Sequence, residues 1–224
     1  MGEGKCLVFL HGWGGEIASF RTIADRLASR FRVILPDMYG FGRTPHPSHP
    51  LTLDDYAEGI RELLRKCGAD DVVLVGHSFG GRVAMRIAAK DPDVAGLVLI
   101  DSAGVPPRRG LCYYLKVAAY KLGKKLHLKH LPKGSADYAA LSGVMKKTFI
   151  NVVNESNLED AGRITLPTLL LWGREDKDTP LYMCRKLKKA ILGSEVILLD
   201  GGHFAYLSNA GLVTSLLRAF RDRV

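Results

Sequence analysis

The stretch Asp71-Val72-Val73-Leu74-Val75 runs straight into Gly76-His77-Ser78-Phe79-Gly80-Gly81. A β-branched apolar run that ends in Gly-x-Ser-x-Gly and then turns helical is the sequence form of a nucleophile elbow. The spacing has a physical reason. The serine must stand on a sharp strand-to-helix turn, where side chains at the flanking glycine positions would strike neighbouring backbone. The turn lifts Ser78 Oγ clear of the sheet and aims the N-terminus of the following helix at it. Glycine and serine are common residues, so the hexapeptide alone decides little and its surroundings carry the reading.

Those surroundings alternate. Short apolar runs at residues 6–10, 32–35, 72–75, 97–100, 168–172 and 195–199 are separated by helical patterns at 17–30, 53–67, 79–90, 181–191 and 212–221. The runs lack polar alternation, as strands buried on both faces do. Thr52-Leu53-Asp54-Asp55 reads as a helix N-cap followed by first-turn acids. The pattern predicts an α/β fold: a mostly parallel six-stranded sheet with helices on both faces, carrying a small helical cap. A chain of 224 residues fits one such domain. Residues 1–104 and 164–224 form the expected core. Residues 105–163, which open near Pro106-Pro107 and end before Leu166-Pro167, interrupt the alternation. An insertion there lies over the ligand crevice of an open α/β sheet, so it is read as a cap or lid.

Charge separates the same interval. No acidic residue occurs from 102 to 136, while Arg108, Arg109, Lys116, Lys121, Lys124, Lys125, Lys129 and Lys133 do. Of 32 basic residues in all, those eight leave 24 against 23 acidic ones elsewhere. The basicity belongs to one segment, which argues against a general nucleic-acid-binding character. Within it Leu111, Leu115, Ala118, Ala119, Leu122 and Leu126 share one helical face, and Lys116, Lys121, Lys124 and Lys125 take the other, as in a basic amphipathic helix. No run reaches the length of a membrane span. The N-terminal residues carry no secretory h-region, and Cys6 stands where the myristoylation pattern needs Ser or Thr. Cys6, Cys67, Cys112 and Cys184 form no close pair, so they read as reduced thiols of a cytoplasmic protein. His46, His49, His127 and His130 lack metal-ligand spacing, and no metal is expected.

An activated serine needs a base, an acid that orients the base, and an oxyanion hole. His203 follows the last apolar run in Asp200-Gly201-Gly202-His203-Phe204, and Asp176 follows the preceding run in Gly173-Arg174-Glu175-Asp176. Both therefore leave the sheet at the edge from which Ser78 protrudes. The order Ser, Asp, His is that of the α/β-hydrolase triad. Asp178 and Asp101 are the rival acids. The glycines of His11-Gly12-Trp13-Gly14-Gly15 let the first loop approach the serine, so the backbone N–H groups of Trp13 and Phe79 are the expected oxyanion donors. His11 and His77 read as residues that orient loops. Trp13, Phe79 and Phe204 are candidate substrate contacts.

With these residues in place the chain resembles the α/β-hydrolase superfamily. The resemblance rests on His11-Gly12-Trp13-Gly14, Asp37-Met38-Tyr39-Gly40-Phe41-Gly42-Arg43-Thr44, the Ser78 elbow, Gly173-Arg174-Glu175-Asp176 and Gly202-His203. It covers nearly the whole chain except the cap. The His-Gly-Trp-Gly opening is locally similar to bacterial pimeloyl-carrier-protein methyl ester esterases. The resemblance implies strand order 2-1-3-4-5-6, without the two leading strands many members have. It also implies that Ser78 attacks an acyl carbon, His203 relays the proton and Asp176 orients His203. A serine nucleophile argues against dehalogenase and epoxide-hydrolase chemistry, which use aspartate there. The expected function is a serine hydrolase that cleaves carboxylic esters through an acyl-enzyme, with no cofactor. The alternative is a thioesterase or carrier-protein ester hydrolase whose basic cap receives an acidic carrier or an anionic surface. A non-catalytic ligand receptor on the same scaffold is the third reading, and the complete triad pattern argues against it.

Overall fold

The apolar runs form six strands in a computed structural model that describes residues 1–108, 141 and 143–224: β1 (Cys6–Leu10), β2 (Arg32–Ile34), β3 (Val72–His77), β4 (Val94–Ile100), β5 (Thr168–Gly173) and β6 (Glu195–Leu199). Every neighbouring pair is parallel, and the order is β2-β1-β3-β4-β5-β6, as expected. Register sets the site. Leu10 pairs with Gly76, His77 with Ile100, and Ile100 with Leu171, so β1, β3, β4 and β5 deliver the residues that follow them to one edge.

Each central strand feeds two cores by its period of two. Val8, Leu74, Leu97, Leu99 and Trp172 face one side, with α2 (Leu53–Lys66), α3 (Phe79–Ala88) and α6 (Leu181–Ala190). Leu7, Phe9, Val73, Val75, Val98 and Leu171 face the other, with α1 (Arg21–Leu27) and α8 (Ala210–Arg223). Full burial of each such side chain contributes about 1.5–3 kcal/mol, which is why unbroken apolar runs become strands here. β6 is one of the two edge strands and leaves Val196 exposed. The capping box of α2 is present, with Asp55 N–H donating to Thr52 Oγ1 and Thr52 N–H to Asp55 Oδ2.

Two helical expectations change. The 17–30 pattern splits into a 3-10 turn (Ile17–Phe20) and α1, because Ile17 N–H goes to Asp37 Oδ1 and Glu16 and Ser19 close a capping box on the turn. The region after 140 contains α4 (Gly143–Asn154) and α5 (Leu158–Arg163), inside the interval read as a helical cap but at positions where no helical pattern was singled out. Leu51 holds α4 at both backbone groups: its N–H donates to Thr148 Oγ1, and its carbonyl accepts from Asn151 Nδ2. From α3, Arg86 pairs with Asp54, Glu155 and Asp160, while Asn157 Nδ2 donates to the Arg82 carbonyl. α7 (Ala205–Ser208) follows β6. The expected basic amphipathic helix at 111–126, and Cys112, lie outside the described residues. Among the described residues no helix is long and apolar enough to cross a membrane.

The elbow glycines are where chain meets chain. A Cβ on Gly80 would lie 2.0 Å from the Leu10 carbonyl oxygen, and one on Gly76 would lie 2.5 Å from the Gly80 carbonyl oxygen. Both obstacles are backbone, so neither can rotate away. Gly80→Ala is expected to destabilise the protein by about 3 kcal/mol or more, the upper end of overpacking costs. Urea unfolding checks this; a midpoint equal to that of the wild type would contradict it.

Candidate active site

Ser78 carries φ +50° and ψ −112°, a strained conformation for a residue with a Cβ. The surroundings hold it. Its N–H donates to the Ile100 carbonyl, and its own carbonyl accepts from Gly81 and Ala103, each at 3.1 Å. The β1 loop lies directly against it, since a Cβ on Gly12 would stand 2.9 Å from His77 Nδ1 and 3.4 Å from Ser78 Cβ. Among the described residues, neither Trp13 N–H nor Phe79 N–H has an acceptor. Phe79 opens α3, where the first N–H groups have no partner within the helix. The Trp13 ring is fixed edge-on by Phe41, Phe79 and Phe149, at centroid distances of 5.0, 5.2 and 4.9 Å.

His203 comes off β6 through Gly201-Gly202. Its Nδ1 lies 2.9 Å from Asp176 Oδ2. Asp176 is itself locked: Oδ1 accepts from Asp178 N–H and Thr179 N–H, and Oδ2 also from Thr179 Oγ1 at 2.6 Å. Burial alone would raise the Asp176 pKa, but the hydrogen bonds from His203 and Thr179 outweigh it and hold the carboxyl down at about 2. Burial alone would lower the His203 pKa, but the Asp176 carboxylate outweighs that and the net direction is upward. Of the rival acids, Asp178 is exposed and contributes its N–H to Asp176, while Asp101 lies buried behind the pair.

His77 donates from Nε2 to the His203 carbonyl at 2.9 Å; a carbonyl can only accept, which fixes that tautomer. Burial, helped by His203, pushes the His77 pKa down to about 3, so the ring stays neutral. His11 accepts from Met38 N–H at Nε2 and so donates from Nδ1 to the Gly12 carbonyl. Both histidines therefore orient loops. The Asp37 carboxylate does similar work, accepting from Ile17 N–H and Arg43 N–H.

Ser78 and His203 open onto a cavity of about 970 Å³, whose wall includes Trp13, Phe79 and Phe204, the three substrate contacts expected from sequence. Phe79 is nearly all core, whereas Phe204 is 58% exposed at the rim. Sequence reasoning missed Arg82, Phe149 and Val152 on the same wall. Arg82 donates to the Glu155 and Val153 carbonyls, so its charge caps the C-terminal end of α4. Thr179 was also missed; the Asp176 side chain accepts Asp178 N–H two residues on, as in an Asx turn, and nothing in that pattern singles out the next residue. Asp176, Asp178 and His203 bring potential metal-ligand atoms within 4.8 Å of one another, but the Asp176 oxygens already accept from Asp178 N–H, Thr179 N–H, Thr179 Oγ1 and His203 Nδ1. A smaller cavity of about 220 Å³ beside Tyr39, Tyr56 and Lys66 contains none of the site residues.

A sequence profile of the alpha/beta hydrolase family matches residues 7–215. The chain belongs to that family. This hydrolase is 26% identical over 250 residues to the AB hydrolase superfamily protein YisY of Bacillus subtilis, covering 99% of this chain and 93% of YisY. It is 29% identical over 249 residues to Lipase 3 of Moraxella sp., covering 98% and 78%. Its fold matches an esterase (EaEST) from Exiguobacterium antarcticum with a TM-score of 0.80 at 22% identity, covering 99% and 93%.

Proposed function

We propose that this hydrolase cleaves carboxylic esters through an acyl-enzyme on Ser78. The observation that carries the reading is the hydrogen-bonded His203–Asp176 pair beside a strained serine at a helix N-terminus, all on one cavity. Asp176 takes Nδ1–H, which leaves His203 Nε2 free to accept the Ser78 proton as Oγ attacks the acyl carbon. The Trp13 and Phe79 N–H groups receive the oxyanion. His203 then protonates the departing alcohol. Water attacks the acyl-enzyme and gives its proton to His203, which passes it to Ser78 Oγ as the ester bond breaks, releasing the carboxylic acid and the free serine. Ser78 Oγ has no hydrogen bond to a described residue, and catalytic hydrogen bonds of this kind often tighten only in the complex. The Moraxella relative named a lipase is consistent with ester substrates. Hydrolysis of short and medium p-nitrophenyl esters tests the reading. Turnover above that of Ser78→Ala supports it, and wild type no faster than the variant on every ester defeats it. A fluorophosphonate probe that left Ser78 unlabelled would instead favour a receptor.

A second reading concerns the acyl donor. Residues 105–163 act as a cap, and the eight basic residues between 102 and 136, with no acid among them, receive an acidic carrier of the acyl group. Screening shortens from about 10 Å at 0.1 M salt to about 3 Å at 1 M. Turnover of a carrier-bound ester or thioester should therefore fall as salt rises, while turnover of a neutral p-nitrophenyl ester stays level. Equal salt response of the two substrates removes this reading.

A further inference from the structure

Asp101 follows β4, beside the strand that leads to Asp176, and the mechanism above does not use it. It is fully buried, with φ +44°. Its Oδ1 accepts from Gly173 N–H at 2.7 Å, and its backbone carbonyl accepts from Thr179 Oγ1 at 3.0 Å. Its Oδ2 is buried without a hydrogen-bond partner among the described residues. As a carboxylate it would hold a bare oxygen anion next to a second carboxylate, one of the most costly arrangements in a protein interior. The charged and titratable groups that face it are Asp176 and His203 on the loops, Cys184 on α6 and Tyr206 on α7. Burial first, then Asp101, pushes the Cys184 thiol up to about 11 and the Tyr206 phenol up to about 12, so both stay neutral. Among the described residues no lysine or arginine forms an ion pair with Asp101.

We propose that Asp101 is a protonated positioning residue whose Oδ2–H donates to the Asp176 carboxylate and leaves that carboxylate as the single anion behind His203. The proposal rests on the reading of Asp176 as the acid of the triad. The Thr179 hydroxyl has one proton for two acceptors, Asp176 Oδ2 and the Asp101 carbonyl. The Asp101 O–H is a donor that Asp176 keeps whichever way Thr179 turns. Burial chiefly, and the Asp176 charge, raise the Asp101 pKa to about 8, which agrees with a proton held at neutral pH. Above that pH the proton leaves, two carboxylates meet, and Asp176 is driven off His203 Nδ1. Ester hydrolysis then falls on its alkaline side for a reason unconnected with Ser78.

Asp101→Asn tests this, because the amide keeps an oxygen for Gly173 N–H and a neutral N–H for Asp176. At pH 7 its kcat/KM is expected within about threefold of wild type, with the alkaline limb moved up by about one pH unit or more. Superimposed alkaline limbs, or a loss of about tenfold or more at pH 7, overturn the proposal. The variant also separates from wild type in stability. A raised acid pKa costs folded-state stability as pH climbs towards that pKa, so the Tm gain of Asp101→Asn should be larger at pH 9 than at pH 5. An equal Tm difference at both pH values counts against it. Should the variant not fold, infrared difference spectra of the wild type between pH 6 and pH 9.5 decide. Loss of a protonated-carboxyl stretch supports the proposal, and no such loss defeats it. Asp176→Asn is assayed beside it. Full activity there removes the triad reading, whereas an inactive Asp176→Asn with superimposed wild-type and Asp101→Asn limbs removes the Asp101 proposal alone.

Discussion

Ser78→Ala is expected to lower kcat for ester hydrolysis by about 10⁵- to 10⁶-fold, with KM close to wild type, the size of loss seen when a triad serine is removed. The substitution deletes one oxygen and keeps the Cβ, so the strained φ of +50° and the backbone hydrogen bonds that hold it are unaffected. The Trp13 and Phe79 N–H groups and the cavity also remain, and such a remainder still accelerates a reaction about 10³- to 10⁴-fold over water. The expected variant is therefore folded, binds substrate and is slow. Far-UV circular dichroism together with steady-state kinetics on p-nitrophenyl esters reads all three properties. A loss smaller than about a hundredfold would place the nucleophile elsewhere, because a positioned general base alone contributes about 10²- to 10⁴-fold.

What was legible in the sequence was what period and punctuation encode. Residues 72–75 are apolar at every position because β3 is buried on both faces, and the elbow glycines follow because Leu10 and Gly80 carbonyls leave no room for a Cβ. The strand order that the family resemblance implied also holds. Asp176 and His203 were readable as residue types that follow strand ends, and parallel register brings those ends to one edge.

What was not legible depends on contacts distant in sequence. α4 has apolar residues on more than one side, because Met145 reaches the core, Phe149 and Val153 line the cavity, and Val152 does both. A one-sided helical pattern is therefore absent, and propensity alone did not reveal the helix. Arg82 looked like an ordinary helix residue, and its partners are carbonyls 71 and 73 positions away. Asp101 was visible at the end of an apolar run, but the missing partner of Oδ2 is a property of the packed interior.

Asp176→Asn is the second large effect, and its size follows from which atom faces which. Asp176 Oδ1 accepts two backbone N–H groups, from Asp178 and Thr179. In the asparagine variant the amide oxygen must stay on that side, because an NH₂ there would meet two donors. The amide Nδ2–H then points at His203 Nδ1, which in the wild type lies 2.9 Å from Oδ2 as a donor. Two N–H groups cannot share that line. His203 resolves the clash by taking the other tautomer, with its proton on Nε2, where it cannot accept from Ser78. Wrong-tautomer variants of this kind lose about 10⁴-fold in kcat at neutral pH. The pH profile moves as well. The Asp176 carboxylate holds the His203 pKa above its ordinary value against the effect of burial, so the acid limb of the wild-type profile lies above about 6.5. With the carboxylate gone, the largest upward influence on His203 is lost, burial weighs more, and the limb shifts to lower pH. A kcat/KM profile measured from pH 5 to pH 9 separates the two effects. An asparagine variant with a wild-type rate at pH 7, or with an unmoved acid limb, would show that Asp176 neither fixes the tautomer nor charges the pair.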